Sequence, residues 1–149
     1  MIDAETASPL PNPLVLTDLD ADPRRISDVR VFFSRWLAAG GVDSDRMHDV
    51  VLAVYEAMAN VVEHAYASST RRGVFDLRAR YAAESGHLDV SVRDHGSWSS
   101  SAPGPLRGRG LPLIETLSDD VTVTAAATGT EVVMRWEDMG AQSVRDLVD

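Results

Sequence analysis

The stretch from Val50 to Tyr66, VVLAVYEAMANVVEHAY, constrains this chain more than any other. Apolar side chains recur at helical spacing through Met47, Val50, Val51, Val54, Met58, Val61 and Ala65, so at about 100° per residue they share one sector of a long helix. Glu56, Asn60, Glu63 and His64 gather on the opposite side. One face is expected to be core and the other to serve chemistry or solvent. From Tyr55 to Tyr66 there is no Lys or Arg, whereas an ordinary outer face mixes charges of both signs. That absence points to a site.

The rest of the chain limits what such a site can serve. With 149 residues, one domain is expected, burying about two thirds of its chain surface around a single core. A formal net charge of -9 argues against a nucleic-acid or anionic-membrane surface, since both require clustered cationic side chains. Neither a direct nucleic-acid partner nor a membrane contact is expected. Zero cysteines remove disulfides, thiolate metal sites and thiol catalysis, and suit a reducing compartment. No apolar run reaches about 18 residues, and the opening MIDAETASPLPNP is acidic and Pro-rich, unlike a signal peptide. The expected setting is cytoplasmic.

Residues 1–13 hold three prolines and little to pack, and read as a loose arm. Leu14 to Ala21 reads as a first strand anchored by Leu14, Leu16 and Leu19. Asp22-Pro23 is a cap followed by proline at the first helical position, and Ile26, Val29, Val31, Phe33, Trp36 and Leu37 are spaced for an amphipathic helix ending at Gly40-Gly41. Asp43 or Ser44 caps the second helix. GVFDLRARYAA and HLDVSVRD read as a hairpin joined through Glu84-Ser85-Gly86. From His95 to Gly110, four glycines, two prolines and four serines predict a long interior loop, and such loops are usually functional. LPLIETLSD supplies a short helix, DVTVTAA a strand, Thr128-Gly129 a turn, and TEVVMRW a closing strand. The folded part is expected to span residues 14–136, with a polar tail over 137–149. This order predicts an α+β two-layer sandwich, a mostly antiparallel mixed sheet with helices on one face.

Three short stretches carry candidate chemistry. Glu56 and Asn60, one helical turn apart, project the same way. They form either an exposed polar stripe or a site in which the Asn60 amide oxygen binds a hard cation such as Mg²⁺ and Glu56 deprotonates a nucleophile. Asp94 ends a strand before His95-Gly96, as a turn aspartate or as an acceptor for an exocyclic amine such as that of adenine, with Gly96 permitting close backbone approach. Gly108-Arg109-Gly110-Leu111 opens a helix, either as an ordinary helix start or as a phosphate cradle to which Arg107 and Arg109 add positive charge.

Their order along the chain carries a family resemblance. Glu56-Ala-Met-Ala-Asn60-Val-Val-Glu-His64-Ala65-Tyr66 resembles the N-box of the GHKL superfamily, the Bergerat ATP-binding fold, and its His64-Ala65-Tyr66 end is similar to bacterial anti-sigma factor serine kinases of the RsbW and SpoIIAB kind. Asp94-His95-Gly96-Ser97-Trp98 is similar to the first glycine box of that family, Gly108-Arg109-Gly110-Leu111 with Ile114 and Leu117 to the second, and Gly129-Thr130 to its closing Gly-Thr. The resemblance covers Leu14 to Trp136.

This resemblance implies a histidine kinase-like ATP-binding domain with ATP and Mg²⁺ as cofactors. It makes Glu56 the general base and Asn60 the Mg²⁺ ligand. Asp94 holds the adenine amino group beside Gly96, while Thr130 supports the adenine end. Arg107, Gly108, Arg109, Gly110 and Leu111 wrap the phosphates. The implied substrate is a serine on an anti-anti-sigma partner of the STAS fold, the implied captive is a sigma factor, and homodimers are usual. Such proteins regulate transcription in stress responses. Two departures are visible: Ser97-Trp98 stands where the family often carries a second glycine, and the phosphate loop has no lysine. Both leave open an alternative, a partner-binding module without kinase activity, nucleotide-dependent or nucleotide-free.

Overall fold

The computed structural model describes residues 10–66, 73–96 and 111–140. Its elements are β1 (Leu14–Asp20), α1 (Pro23–Ala39), α2 (Ser44–Asn60) running into one π-helical turn (Val61–Ala65), β2 (Val74–Ala82), β3 (His87–Asp94), α3 (Leu111–Leu117), β4 (Asp120–Ala126) and β5 (Gly129–Trp136). The strands form one sheet in the order β1-β2-β3-β5-β4. The expected α+β sandwich is observed, but the sheet is not mixed: all its pairings are antiparallel. β4 runs in the direction of β3, and the β4–β5 hairpin places β5 between them, so no parallel pair forms.

Strand alternation gives the sheet two different faces. Phe75, Leu77, Ala79 and Tyr81 of β2, Leu88, Val90 and Val92 of β3, and Val132, Met134 and Trp136 of β5 are buried beneath the helices. The other face is charged. Arg80, Asp89, Arg135 and Asp120 stand opposite one another in a cross-strand row, and Asp76, Arg93 and Glu131 in a second. Opposite charges in such rows favour this register over a one-residue slip.

β1 shows how a broken alternation is accommodated. Leu16 pairs with Leu77 but Leu19 pairs with Phe75, so β1 has one residue more than β2 between these pairs. The bulge places Asp18 at φ 55° and its N–H on Asp76 Oδ1 at 2.9 Å, and it returns Leu19 to the inner side. α1 starts as expected, with the Asp22 carboxylate accepting the Arg24 N–H at 2.7 Å and Pro23 in the first turn. Ile26, Val29, Phe33, Trp36 and Leu37 are buried. Val31 does not join them; it is 45% exposed, because 3.6-residue periodicity sets it roughly opposite the centre of that stripe.

Two expectations about α2 are corrected. The helix is not α-helical to Tyr66, since its last turn widens over Val61–Ala65. Nor does Asn60 lie opposite the core: it is 4% exposed, only about 20° around the wheel from buried Ala53. Glu56 is half-buried on the adjoining flank.

The folded part also exceeds the expected 14–136 at both ends. Asn12 pairs its side-chain amide with the carbonyl and N–H of Tyr81, at 2.6 and 3.1 Å, and Trp36 Nε1 donates to the Pro11 carbonyl at 2.6 Å. After β5, Met139 is fully buried, its N–H donates to Gly86 and its carbonyl accepts from Asp43, each at 2.8 Å, while Gly140 bridges Val42. One apolar residue in a polar run has no periodicity, so this clasp could not be read from the sequence. The clasp holds the α1–α2 turn against the β2–β3 turn. Among the described residues no helix is long and apolar enough to cross a membrane.

Candidate functional site

α2 runs from the clasp to the other end of the sandwich, where β3 ends and β2 and β5 begin. The β3–β5 ladder closes at Arg93 opposite Glu131. Beyond it the Asp94 side chain takes over the pairing, Oδ1 accepting the N–H groups of Gly96 at 3.0 Å and Thr130 at 3.2 Å. Asp94 and Thr130 are both buried. Hydrogen bonds from backbone N–H to a carboxylate are among the stronger kinds, so these fix the direction of the carboxylate at the sheet end. Gly129 makes the approach possible: its φ is 147°, and a Cβ there would overlap the Asp94 carbonyl.

Gly96 touches the end of α2. A Cβ on Gly96 would collide with the Ala65 carbonyl and the Tyr66 ring, and one on Gly73 would enter the same ring. Tyr66 donates its hydroxyl to the Val74 carbonyl at 2.5 Å and accepts the His95 N–H at 2.9 Å. Burial raises the Tyr66 phenol above its ordinary 10.0, keeping it in the form that can donate. His95 Nε2 lies 3.1 Å from Asp76 Oδ2 on the outer face, and His64 lies 3.5 Å from Glu63.

Asn60 sits five residues before Ala65. Its Nδ2 is buried and makes no hydrogen bond among the described residues. An unpaired buried amide costs about 1–3 kcal/mol, which an incoming ligand can offset. The unpaired Nδ2 is a donor and suits an acceptor such as a phosphate oxygen, while the carbonyl oxygen of the same side chain is the kind of atom a hard, oxygen-seeking cation such as Mg²⁺ takes. Among the described residues no group of three or more His, Cys, Asp or Glu could hold a metal, and Mg²⁺ is ordinarily held by one or two protein oxygens together with phosphates and water. The residues present therefore fit a phosphate-bound cation.

The structure thus brings Asp94, Gly96 and Thr130 into direct contact and carries Glu56 and Asn60 toward them on α2. Leu111, half-buried, opens α3, which packs on α2 and is tied to β5 by Trp136 Nε1 donating to the Leu117 carbonyl at 2.7 Å. Arg107, Gly108, Arg109 and Gly110 lie outside the described residues, as do Ser97 and Trp98. Sequence reasoning missed the structural parts of Tyr66, Gly73 and Gly129. The one available signal was that two glycines, Gly73 and Gly96, flank the strands after an aromatic helix end.

Helices over one face of an antiparallel sheet, with a backbone-held carboxylate, a close-approach glycine and a helix-borne asparagine at one end, define an α+β sandwich with a polar site at the sheet end. Residues 19–136 match the model of the histidine kinase-like ATPase domain, and the chain belongs to that family. Its relatives within the family include RsbW serine-protein kinases. It is 32% identical to that of Bacillus velezensis over 132 residues, covering 78% of this chain and 80% of the relative. It is 32% identical to that of Bacillus subtilis over 119 residues, covering 69% and 72%. A crystal structure of the RsbU and RsbW domains of a Mycobacterium tuberculosis protein superposes with a TM-score of 0.68 at 27% identity, over 89% of this chain and 35% of that longer one. The resemblance read from the N-box and glycine boxes is borne out, as is its α+β fold.

Proposed function

We propose that this chain is an ATP-dependent protein serine kinase that sequesters a sigma factor and phosphorylates a serine on a STAS-type anti-anti-sigma partner. The observation that carries the reading is the buried Asp94 carboxylate, held at the sheet end by the Gly96 and Thr130 N–H groups. In this reading Asp94 accepts the adenine amino group, with Thr130 supporting it from β5. Asn60 holds Mg²⁺, which when bound supplies positive charge to the phosphates. Arg107, Gly108, Arg109, Gly110 and Leu111 wrap the phosphates. Glu56 takes the proton of the partner's serine hydroxyl as its oxygen bonds to the γ-phosphorus and ADP leaves. Phosphoryl transfer needs mainly positioning and charge stabilisation, so this short set of side chains suffices. A cytoplasmic setting and a homodimer accompany the proposal.

Calorimetry with Mg²⁺-ATP tests the nucleotide site: the native chain binds, and Asp94→Ala and Asn60→Ala weaken binding by about 10-fold or more, the equivalent of a charged or metal-linked contact. A transfer assay on a STAS-type protein then tests Glu56→Gln, which is expected to bind ATP yet lose about 100-fold or more in turnover, the usual worth of a general base. Native-level transfer by Glu56→Gln removes the base assignment. A native chain that captures its partner but transfers nothing is the binding module instead.

A further inference from the structure

The end of α2 is joined to two strands through one hydroxyl. The Tyr66 oxygen donates to Val74 at the start of β2 and accepts from His95, the residue after Asp94. Its ring occupies the space that a Cβ on Gly73 would need and bears on Gly96, so glycines from two separate segments make room for one side chain. The π turn over Val61–Ala65 brings this about: the wider turn holds an extra residue and rotates the residues after it by about 100° relative to a continuous α-helix. Asn60 lies before that turn and Tyr66 after it. The part of α2 that faces a phosphate-bound cation is thereby fixed against the segment that carries Asp94.

We propose that Tyr66 is a positioning residue for the nucleotide site, holding the Asn60 helix at a set distance from the Asp94–Gly96 segment so that adenine and phosphates are engaged together. The proposal rests on the reading of this site as an ATP site. Tyr66 bears on the Asp94 side through the His95 N–H, so its loss acts on recognition of the base more than on the phosphates. Because that recognition is used alike in substrate and transition state, the kinetic effect falls on KM for ATP and not on kcat.

Tyr66→Phe keeps the ring and removes only the hydroxyl. Calorimetry on the full chain with Mg²⁺-ATP, Mg²⁺-GTP and inorganic tripolyphosphate reads the outcome. ATP affinity is expected to fall about 3- to 10-fold, as for a neutral hydrogen bond. Tripolyphosphate affinity is expected to stay at the native value and the preference for ATP over GTP to narrow. Gly73→Ala, whose Cβ displaces the ring without touching ligand, is expected to give the same pattern. Native affinities and native ATP-over-GTP preference in both variants overturn the proposal, as does an equal loss of ATP and tripolyphosphate. A native chain that binds no ATP overturns the nucleotide reading as well, which separates the two failures.

Discussion

Asp94 is a residue whose neighbours explain it. Strand alternation puts it on the covered side, and the N–H groups that hold it come from a glycine two residues on and a threonine across the sheet. Asp94 and Gly96 were legible because a polar residue and a glycine at the end of an apolar strand stand out locally, whereas Thr130 was marked only by the family resemblance. The burial of Asn60 was not legible, because the apolar stripe read along α2 leaves out the small Ala53 and Ala57, and these carry the buried sector round to Asn60. The Tyr66 hydroxyl was illegible for a different reason: its partners are backbone atoms of Val74 and His95, to which sequence gives no specific mark. Tyrosine also supplies a pH signature. Burial raises Tyr66 and Tyr81 above their ordinary 10.0, because folding disfavours the phenolate. Stability from this source is complete below the unfolded value and is lost as pH rises through the raised folded values. The chain contains no lysine, so alkaline titration of side chains reports on its tyrosines. Urea unfolding is expected to show a midpoint that declines as pH rises past the ordinary tyrosine value of about 10, with a smaller decline in Tyr66→Phe.

Elements were read well where a local rule decides them. Asp22-Pro23 began α1, Gly40-Gly41 ended it, and Glu84-Ser85-Gly86 turned the β2–β3 hairpin with Gly86 at φ 73°. They were read less well where tertiary structure decides: the π turn ending α2 and the bulge in β1 each insert a residue that only the packed neighbours require. α3 has seven residues, too short to hold its shape alone; buried Ile114 and the bond from Trp136 to Leu117 anchor it to the layer. The α1 cap offers a direct test of element stability. Asp22→Ala removes the acceptor of the Arg24 N–H and is expected to cost about 1 kcal/mol, read as a lower urea midpoint at unchanged slope with Mg²⁺-ATP affinity unaltered.

For the whole molecule, α2 spans from the Met139 clasp to the nucleotide end, so stability and function have separate addresses. Met139→Ala opens a cavity under the β2–β3 turn and is expected to cost about 2–5 kcal/mol, measured by denaturant unfolding, while ATP affinity under native conditions stays within about two-fold. The sequence placed the boundary of the fold before this residue because Glu137-Asp138-Met139-Gly140 carries no period. The overall architecture was nonetheless legible, since the alternating strands and the two amphipathic helices allow few arrangements other than helices over one face of an antiparallel sheet.

The bulge in β1 bears on how copies of this protein can associate. β1 is an edge strand, and a flat edge offers its unpaired N–H and C=O groups as a template for a neighbour's strand. Here the straight run is only Leu14–Leu16 before the chain kinks at Asp18 and turns that N–H inward to Asp76. Three residues give a neighbour's strand little straight edge to pair with, so a sheet continued from copy to copy along this edge is disfavoured.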